Sequence, residues 1–203
     1  MSLYLVTAPS EEPLTLAEAK KQVNQTSPFT DDDTYITGLI PAARQRVEEV
    51  ECALQLVTAT YDLKLDYFPA SGVIVIPKAP LLSVLGVYYT DDDGVEQTFG
   101  GSPVDQYSVD LKSPHCPKFG EIHLAYSESW PSHRSQHNAV RVRFTCGFGA
   151  ASDVPAGIKA WLQIAVATMY AHRESEFIGS VISEMKFVDC LLDPFRAQGK
   201  RVH

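Results

Sequence analysis

The chain has 203 residues, a formal net charge of −8 and 45% hydrophobic residues, which is an ordinary composition for a soluble globular domain. The negative charge disfavours general binding to nucleic acid or to an anionic membrane. The first residues show neither the basic region nor the long apolar region of a signal peptide. The four cysteines form no CxxC pair, so we expect reduced thiols in a cytoplasm.

A short strand and a capped helix are predicted at the start of the chain. Residues 3–7 are β-prone. Thr15 and Glu18 have the spacing of a capping box, in which each side chain satisfies a backbone N–H of the other residue. This spacing predicts a helix over residues 16–24.

A second helix follows a loop that contains a proline. We expect Thr30 to cap it, with Asp31, Asp32 and Asp33 in the first turn, where the helix dipole favours negative charge. Pro41 falls inside the pattern and is expected to kink or divide the helix. One apolar stripe is predicted, formed by Ile36, Ile40, Ala43, Val47, Val50 and Leu54.

The hydrophobic period changes from 3.6 to 2 near residue 56, which marks the start of β structure. Two strands alternate clearly, over residues 57–66 and 139–146. Further strands are predicted over residues 73–76, 83–90, 95–99, 107–111 and 121–125, with a polar loop over 127–138. No helix separates them, so segment 56–147 is predicted to be an antiparallel sheet or a small barrel.

Residues 155–174 form the most apolar helix of the sequence, opened by Pro155. Only a narrow polar stripe, near Lys159 and Gln163, interrupts its apolar circumference, so other elements or other copies of the chain must cover it. We expect core anchors at Trp161, Leu162, Ile40 and Val47. The side with small residues is a candidate interface with a neighbouring subunit, formed by Ala160, Ala167 and Ala171.

A last helix is predicted over residues 181–192, before a mobile tail at 194–203 that contains Arg196. The helical parts, residues 13–55 and 153–193, are expected to pack together with the sheet inserted between them. This predicts an α+β fold in one domain, residues 1–203.

No cofactor, metal or catalytic site is predicted. Gly147-Phe148-Gly149 follows a strand and precedes a helix, as a dinucleotide-binding loop does. However, Asp153 would repel a pyrophosphate at the helix N-terminus, so we interpret the segment as a strand-to-helix turn, with Asp153 or Val154 near the N-cap. No paired metal-ligand spacing occurs among His115, Cys116, His123, His133, His137 and Cys146.

Some polar and aromatic residues remain open to more than one interpretation. Arg141 and Arg143 share one face of a strand, which suits either solvent or a salt-bridged contact with a neighbouring subunit. The acids Asp110 and Glu121 cannot be placed relative to one another from sequence. An alternative function, a carbohydrate- or peptide-binding β module, would use the aromatic residues Tyr126 and Trp130.

Several strings, in order along nearly the whole chain, resemble the head–tail connector (adaptor) proteins of tailed bacteriophages. They are residues 13–20 (PLTLAEAK), 39–44 (LIPAAR), 65–69 (LDYFP), 76–84 (IPKAPLLSV), 89–94 (YTDDDG), 107–110 (YSVD), 140–149 (VRVRFTCGFG), 154–159 (VPAGIK) and 191–196 (LLDPFR). The resemblance implies a non-enzymatic virion protein, made in the host cytoplasm. It also implies a ring of about twelve copies on the portal, which extends the DNA channel towards a tail protein or second adaptor without binding DNA specifically or contacting a membrane.

Overall fold

The computed structural model describes residues 1–25, 29–100, 107–111, 118–172, 188 and 190–196. Within these residues no helix has the length and apolarity needed to cross a membrane. The elements used below are β1 (Ser2–Thr7), α1 (Leu16–Gln22), α2 (Asp33–Gln45), a π-helix (Arg46–Glu51), β2 (Ala59–Leu65), β3 (Val73–Val75), β4 (Leu81–Thr90), β5 (Glu96–Phe99), β6 (Tyr107–Asp110), β7 (Glu121–Leu124), β8 (Val140–Cys146) and α3 (Ala156–Ala171).

The described strands form two antiparallel sheets, so the predicted α+β class is confirmed. The larger sheet has the order β1-β2-β8-β4-β5, and the smaller has the order β3-β7-β6. The larger sheet is open, with β1 and β5 at its edges among the described residues. Of the two predicted alternatives, the antiparallel sheet is therefore correct and the small barrel is not.

Strand β1 belongs to the larger sheet although it precedes the helices in the chain. Its partner is β2, with Leu3 opposite Leu63 and Leu5 opposite Tyr61. The sheet thus includes a strand from outside segment 56–147, because a short β-prone strand is most stable when its backbone groups pair with an existing edge.

The capping box at the start of α1 is confirmed. The Glu18 backbone N–H donates to Thr15 Oγ1 at 3.2 Å, and the Thr15 backbone N–H donates to Glu18 Oε2 at 2.8 Å. These two bonds satisfy donors that a helix N-terminus otherwise leaves unpaired.

Helix α2 begins at Asp33, so the prediction that Thr30 caps it is wrong. The N-cap residue is Asp32, whose side chain makes no capping bond. The acids serve tertiary contacts instead: Asp33 accepts from the Lys20 ammonium at 2.5 Å, and Asp32 accepts from Tyr170 of α3. These contacts, which sequence spacing does not reveal, tie α2 to α1 and α3.

The predicted second helix continues past Pro41 and changes at Arg46 into the π-helix. The Cys52 N–H donates to the Val47 carbonyl at 3.0 Å, an i→i+5 bond that shifts the phase of the helix surface. The stripe is therefore buried through Val47, whereas Val50 is 61% exposed. Leu54 is buried beyond the helix, where it bridges to Ala79.

Two apolar clusters make up the core of the described part of the chain. One joins α1, α2 and α3 with the start of the β segment, including Leu54, Leu56 and Val57. The other lies against the larger sheet around Leu63, Val142 and Phe144. Among the described residues, the helical cluster thus reaches into the chain that leads to β2.

Helix α3 begins one residue later than expected, since Pro155 is its N-cap. Val154 directly precedes this N-cap, in agreement with the prediction that Asp153 or Val154 lies near it. The end of this helix beyond residue 172, Ser180 and most of the predicted last helix lie outside the described residues, although residues 188 and 190 are helical.

Candidate functional site

A buried polar cluster lies where the helices meet the larger sheet, and Glu48 is at its centre. The Glu48 side chain comes from the π-helix, and the residue is only 3% exposed. Its Oε1 accepts from Gln55 Nε2 and from the Leu56 backbone N–H, both at 2.9 Å, and its Oε2 accepts from Arg44 Nη1 at 2.7 Å. Burial raises the pKa of the Glu48 carboxyl, and the Leu56 N–H and Arg44 act in the opposite direction.

Lys78 completes this cluster from the segment that precedes β4. The buried ammonium donates to the Leu54 carbonyl at 3.2 Å and pairs with Glu49 Oε1 at 2.6 Å. Tyr61 of β2 donates to Gln55 Oε1 at 2.7 Å, and burial raises the pKa of its hydroxyl. Both Glu48 oxygens accept hydrogen bonds from other parts of the chain, so the cluster holds the helices and the segment leading to β2 together at this junction.

The sequence pattern does not single out Glu48. Glu48 is close in sequence to Glu49 and Glu51, and three such acids are typical of an exposed helix face. In the structure, Glu48 lies in the π-helix and points inward. A cleft of ≈ 600 Å³ opens beside the cluster, with apolar walls from Leu5, Pro9 and Val50.

The glycine loop after β8 has a structural role. The Phe148 N–H donates to the Leu56 carbonyl at 3.0 Å, and the Gly149 carbonyl accepts from the Thr58 N–H at 2.9 Å. Gly147 has φ +131°, and a Cβ there would lie 2.8 Å from the Thr58 nitrogen. The loop is thus fixed against the start of β2, and this close backbone approach accounts for Gly147.

Both candidate interface arginines of β8 are paired within the chain. Arg143 makes two 2.8 Å bonds to the Asp62 carboxylate, and they hold the pKa of that carboxyl below its usual value. Arg141 donates to Glu96 at 2.8 and 3.1 Å and stacks 4.0 Å from the Tyr88 ring centroid. A further contact of these arginines with a neighbouring subunit stays a prediction.

The other candidate interface residues lie on or near α3. Ala160 and Ala167 are half-buried and Ala171 is exposed. Arg196 is largely covered and pairs with Asp193 at 3.0 Å and with Glu51 at 3.7 Å. The predicted core anchors Trp161, Leu162, Ile40 and Val47 all lie in the buried helical cluster.

The structure brings His123, which has no paired metal-ligand spacing in the sequence, next to two acidic residues. Ligand atoms of His123, Glu121 and Asp110 lie within 4.8 Å of one another on β6 and β7. Two carboxylates and an imidazole are suitable ligands for a divalent cation. Cys146 is buried, which raises the pKa of its thiol to about 12, whereas His115 and Cys116 lie outside the described residues.

The aromatic residues of the alternative binding module have different environments. Trp130 stacks on Phe68, with centroids 4.6 Å apart, and its Nε1 donates to the Pro69 carbonyl at 3.0 Å. Tyr126 is almost fully exposed. Trp130 therefore uses a ring face for packing, whereas the Tyr126 ring is open to solvent.

No protein-family model and no curated protein matches this sequence. Solved structures, however, are similar along the whole chain. A chain from the neck of an empty gene transfer agent (GTA) particle, computed with C6 symmetry, has a TM-score of 0.79 and 22% identity, covering 100% of this chain and 98% of that one. This chain has the fold of a GTA neck protein.

Two further structures agree with this similarity. A chain of the native GTA virion has a TM-score of 0.76 and 22% identity, and one from the native neck computed with C12 symmetry has 0.69 and 21%. Each covers 100% of this chain and 98% of that chain. The resemblance to head–tail connectors that the sequence predicted is thus confirmed as a likeness of fold to GTA neck proteins.

Proposed function

We propose that this protein is a structural subunit, not an enzyme, in the neck of a tailed phage or phage-like particle. It would act as a head–tail connector, between the portal and a tail protein or second adaptor. The observation that carries the proposal is the end-to-end match to the GTA neck chain, 100% of one chain on 98% of the other. The similarity extends over the full length of this chain and is not limited to one module.

The proposed assembly is a ring of about twelve copies around the DNA channel, in the virion. Similar chains come from necks computed with C6 and C12 symmetry, which supports a cyclic arrangement. The net charge of −8 suits a channel wall, because like charge lets DNA pass without specific binding.

We place one ring contact on the small-residue side of α3. Ala160, Ala167 and Ala171 leave room for a neighbouring helix to approach closely, and none of the three is fully buried in the single chain. Trp161 and Leu162, by contrast, are buried within the subunit. We therefore propose that one side of α3 belongs to the subunit core and another to assembly.

The test is to mix the purified protein with portal protein from the same genome and to measure the mass and symmetry of the assemblies by mass photometry and electron microscopy. The parent chain is expected to form rings on portals, and Ala167→Arg is expected to fold but not to assemble, because it places an unpaired charge in the contact. Thr37→Arg, at an exposed position of α2, serves as the control and should assemble like the parent. A parent chain that forms no ring, alone or on portals, would contradict the proposal.

A further inference from the structure

The larger sheet has an exposed stretch on each of its two edges, and the two stretches lie at the same position along the strand direction. Following the register across the sheet, Leu5 of β1 lies opposite Tyr61, Tyr61 opposite Phe144, and Phe144 opposite Val84 of β4. The second half of β1 and the first half of β4 are therefore level with one another, on opposite edges.

The first half of β4 is an edge because β5 is too short to cover it. Strand β5 pairs only with residues Val87 to Thr90, so residues 81–86 have no strand partner on that side among the described residues. The outer side of β1 likewise has no strand partner within the described chain. Edges of this kind are natural sites for association with another chain.

Both edges carry exposed apolar side chains. On β1, Leu5 is 53% exposed and Val6 is also exposed. On β4, Leu82 and Leu85 lie at irregularities in the pairing with β8, where neither has an opposite residue on that strand. Leu85 is 54% exposed. Charged residues and prolines, which commonly protect an edge strand, are absent from both Ser2–Thr7 and residues 81–86.

We propose that a second copy of this chain covers these edges: Leu5 and Val6 of one subunit pack against Leu82 and Leu85 of the next. This inference rests on the proposed ring. A cyclic ring joins two different surfaces of the same chain, and here two apolar edges lie at equal height on opposite sides of one sheet. β1 and β4 run in opposite directions in the sheet order, so the edges meet antiparallel, as do all the strands within the sheet.

Charge substitutions test this contact through its two sides. Leu5→Glu and Leu85→Lys are each expected to reduce the fraction of subunits in rings at least tenfold, because each places an unpaired charge opposite an apolar edge. The double variant should recover rings, since the two charges then meet across the contact. Val95→Lys, an exposed apolar position in the β4–β5 turn, is the control and should assemble like the parent.

Cross-linking provides a second measurement. Leu5→Cys and Leu85→Cys, combined with Cys116→Ser and Cys190→Ser, should give a ladder of disulfide-linked oligomers, whereas either single cysteine should not. If the parent forms rings and both charged single variants do too, or if the double variant stays unassembled and no ladder forms, the edge contact is wrong and the ring proposal stands. If the parent forms no ring, both proposals are wrong.

Discussion

Glu48 shows how one buried carboxylate can join two parts of a fold. It accepts bonds from Arg44 of α2 and from Gln55 and Leu56 of the segment that leads to β2. Removing it would take the acceptor from the buried Leu56 N–H, and would leave Arg44 with Glu12 and the Gln55 amide with the Val57 carbonyl as their other acceptors. An acceptor lost from a buried network costs more than an exposed pair contributes.

We expect Glu48→Ala to lower the free energy of unfolding by about 3–5 kcal/mol, as measured by urea denaturation. Glu12→Ala is the matched control, since Glu12 pairs with the same Arg44 from a more exposed position and should cost less than about 1 kcal/mol. Equal losses in the two variants would show that Glu48 is not the centre of the cluster.

Asp62 predicts a pH dependence with a definite sign. Hydrogen bonds from Arg143 lower the pKa of Asp62 below the usual 3.8. The unfolded chain therefore binds this proton more readily, so the stabilisation is present above about pH 4 and is lost as the pH falls through the folded-state pKa.

We expect Asp62→Asn to reduce the melting temperature at pH 7, and the difference from the parent to shrink as the pH falls from 5 towards 2. Thermal melts across that range measure it. A difference that stays constant with pH would mean that the carboxylate charge of Asp62 contributes nothing.

The capping box of α1 involves only Thr15 and Glu18, so its contribution to the free energy of unfolding should depend on these two residues. Thr15→Ala removes the acceptor for the Glu18 N–H and should cost about 1 kcal/mol, visible as a lower melting temperature. Thr37→Ala is the control: Thr37 is exposed within α2 and its hydroxyl bonds back to the Asp33 carbonyl, so its loss should leave stability nearly unchanged. Equal effects would argue against the capping box as a source of stability.

Helix α3 depends on Trp161, which is 5% exposed and lies in the helical core. Trp161→Ala should cost about 3–5 kcal/mol because it opens a core cavity. Among the described residues its buried indole Nε1 has no hydrogen-bond partner, so Trp161→Phe should lose much less. Chemical denaturation of both variants measures the ranking, and an alanine variant as stable as the parent would place the indole outside the core.

For the whole molecule, we expect the helices and the sheet to form one folding unit. The ends of segment 56–147 are close, since the Leu56 carbonyl accepts from the Phe148 N–H at 3.0 Å. Yet Leu56, Val57 and Ala79 belong to the helical core cluster, and β1 pairs with β2.

Replacing residues 56–146 with a short Gly/Ser linker should therefore abolish cooperative unfolding, because it removes part of the helical core and leaves β1 without its partner. Circular dichroism and calorimetry measure the transition. A native-like cooperative melt of the deletion variant would show that the sheet is a separable domain.

Local and periodic patterns were enough to predict much of the fold. The Thr15–Glu18 spacing fixed the start of α1, since a capping box involves residues only three apart. Alternation over residues 139–146 predicted β8, in which every second side chain is buried. The short strings that resemble connector proteins occur in order along the chain, and this order predicted a connector-like fold without any structural information.

Pairings between distant residues were decided only by the tertiary structure. Each of three features joins residues that are tens of positions apart in the chain. They are the Asp62–Arg143 ion pair, the pairing of β1 with β2, and the alignment of Leu5 with Val84 across the larger sheet. The inward position of Glu48 depends on a π-helix, which changes the phase of the helix surface without a signal in the apolar pattern. Sequence periodicity reports which side of an element is buried, whereas the partner on that side is set by how the whole chain packs.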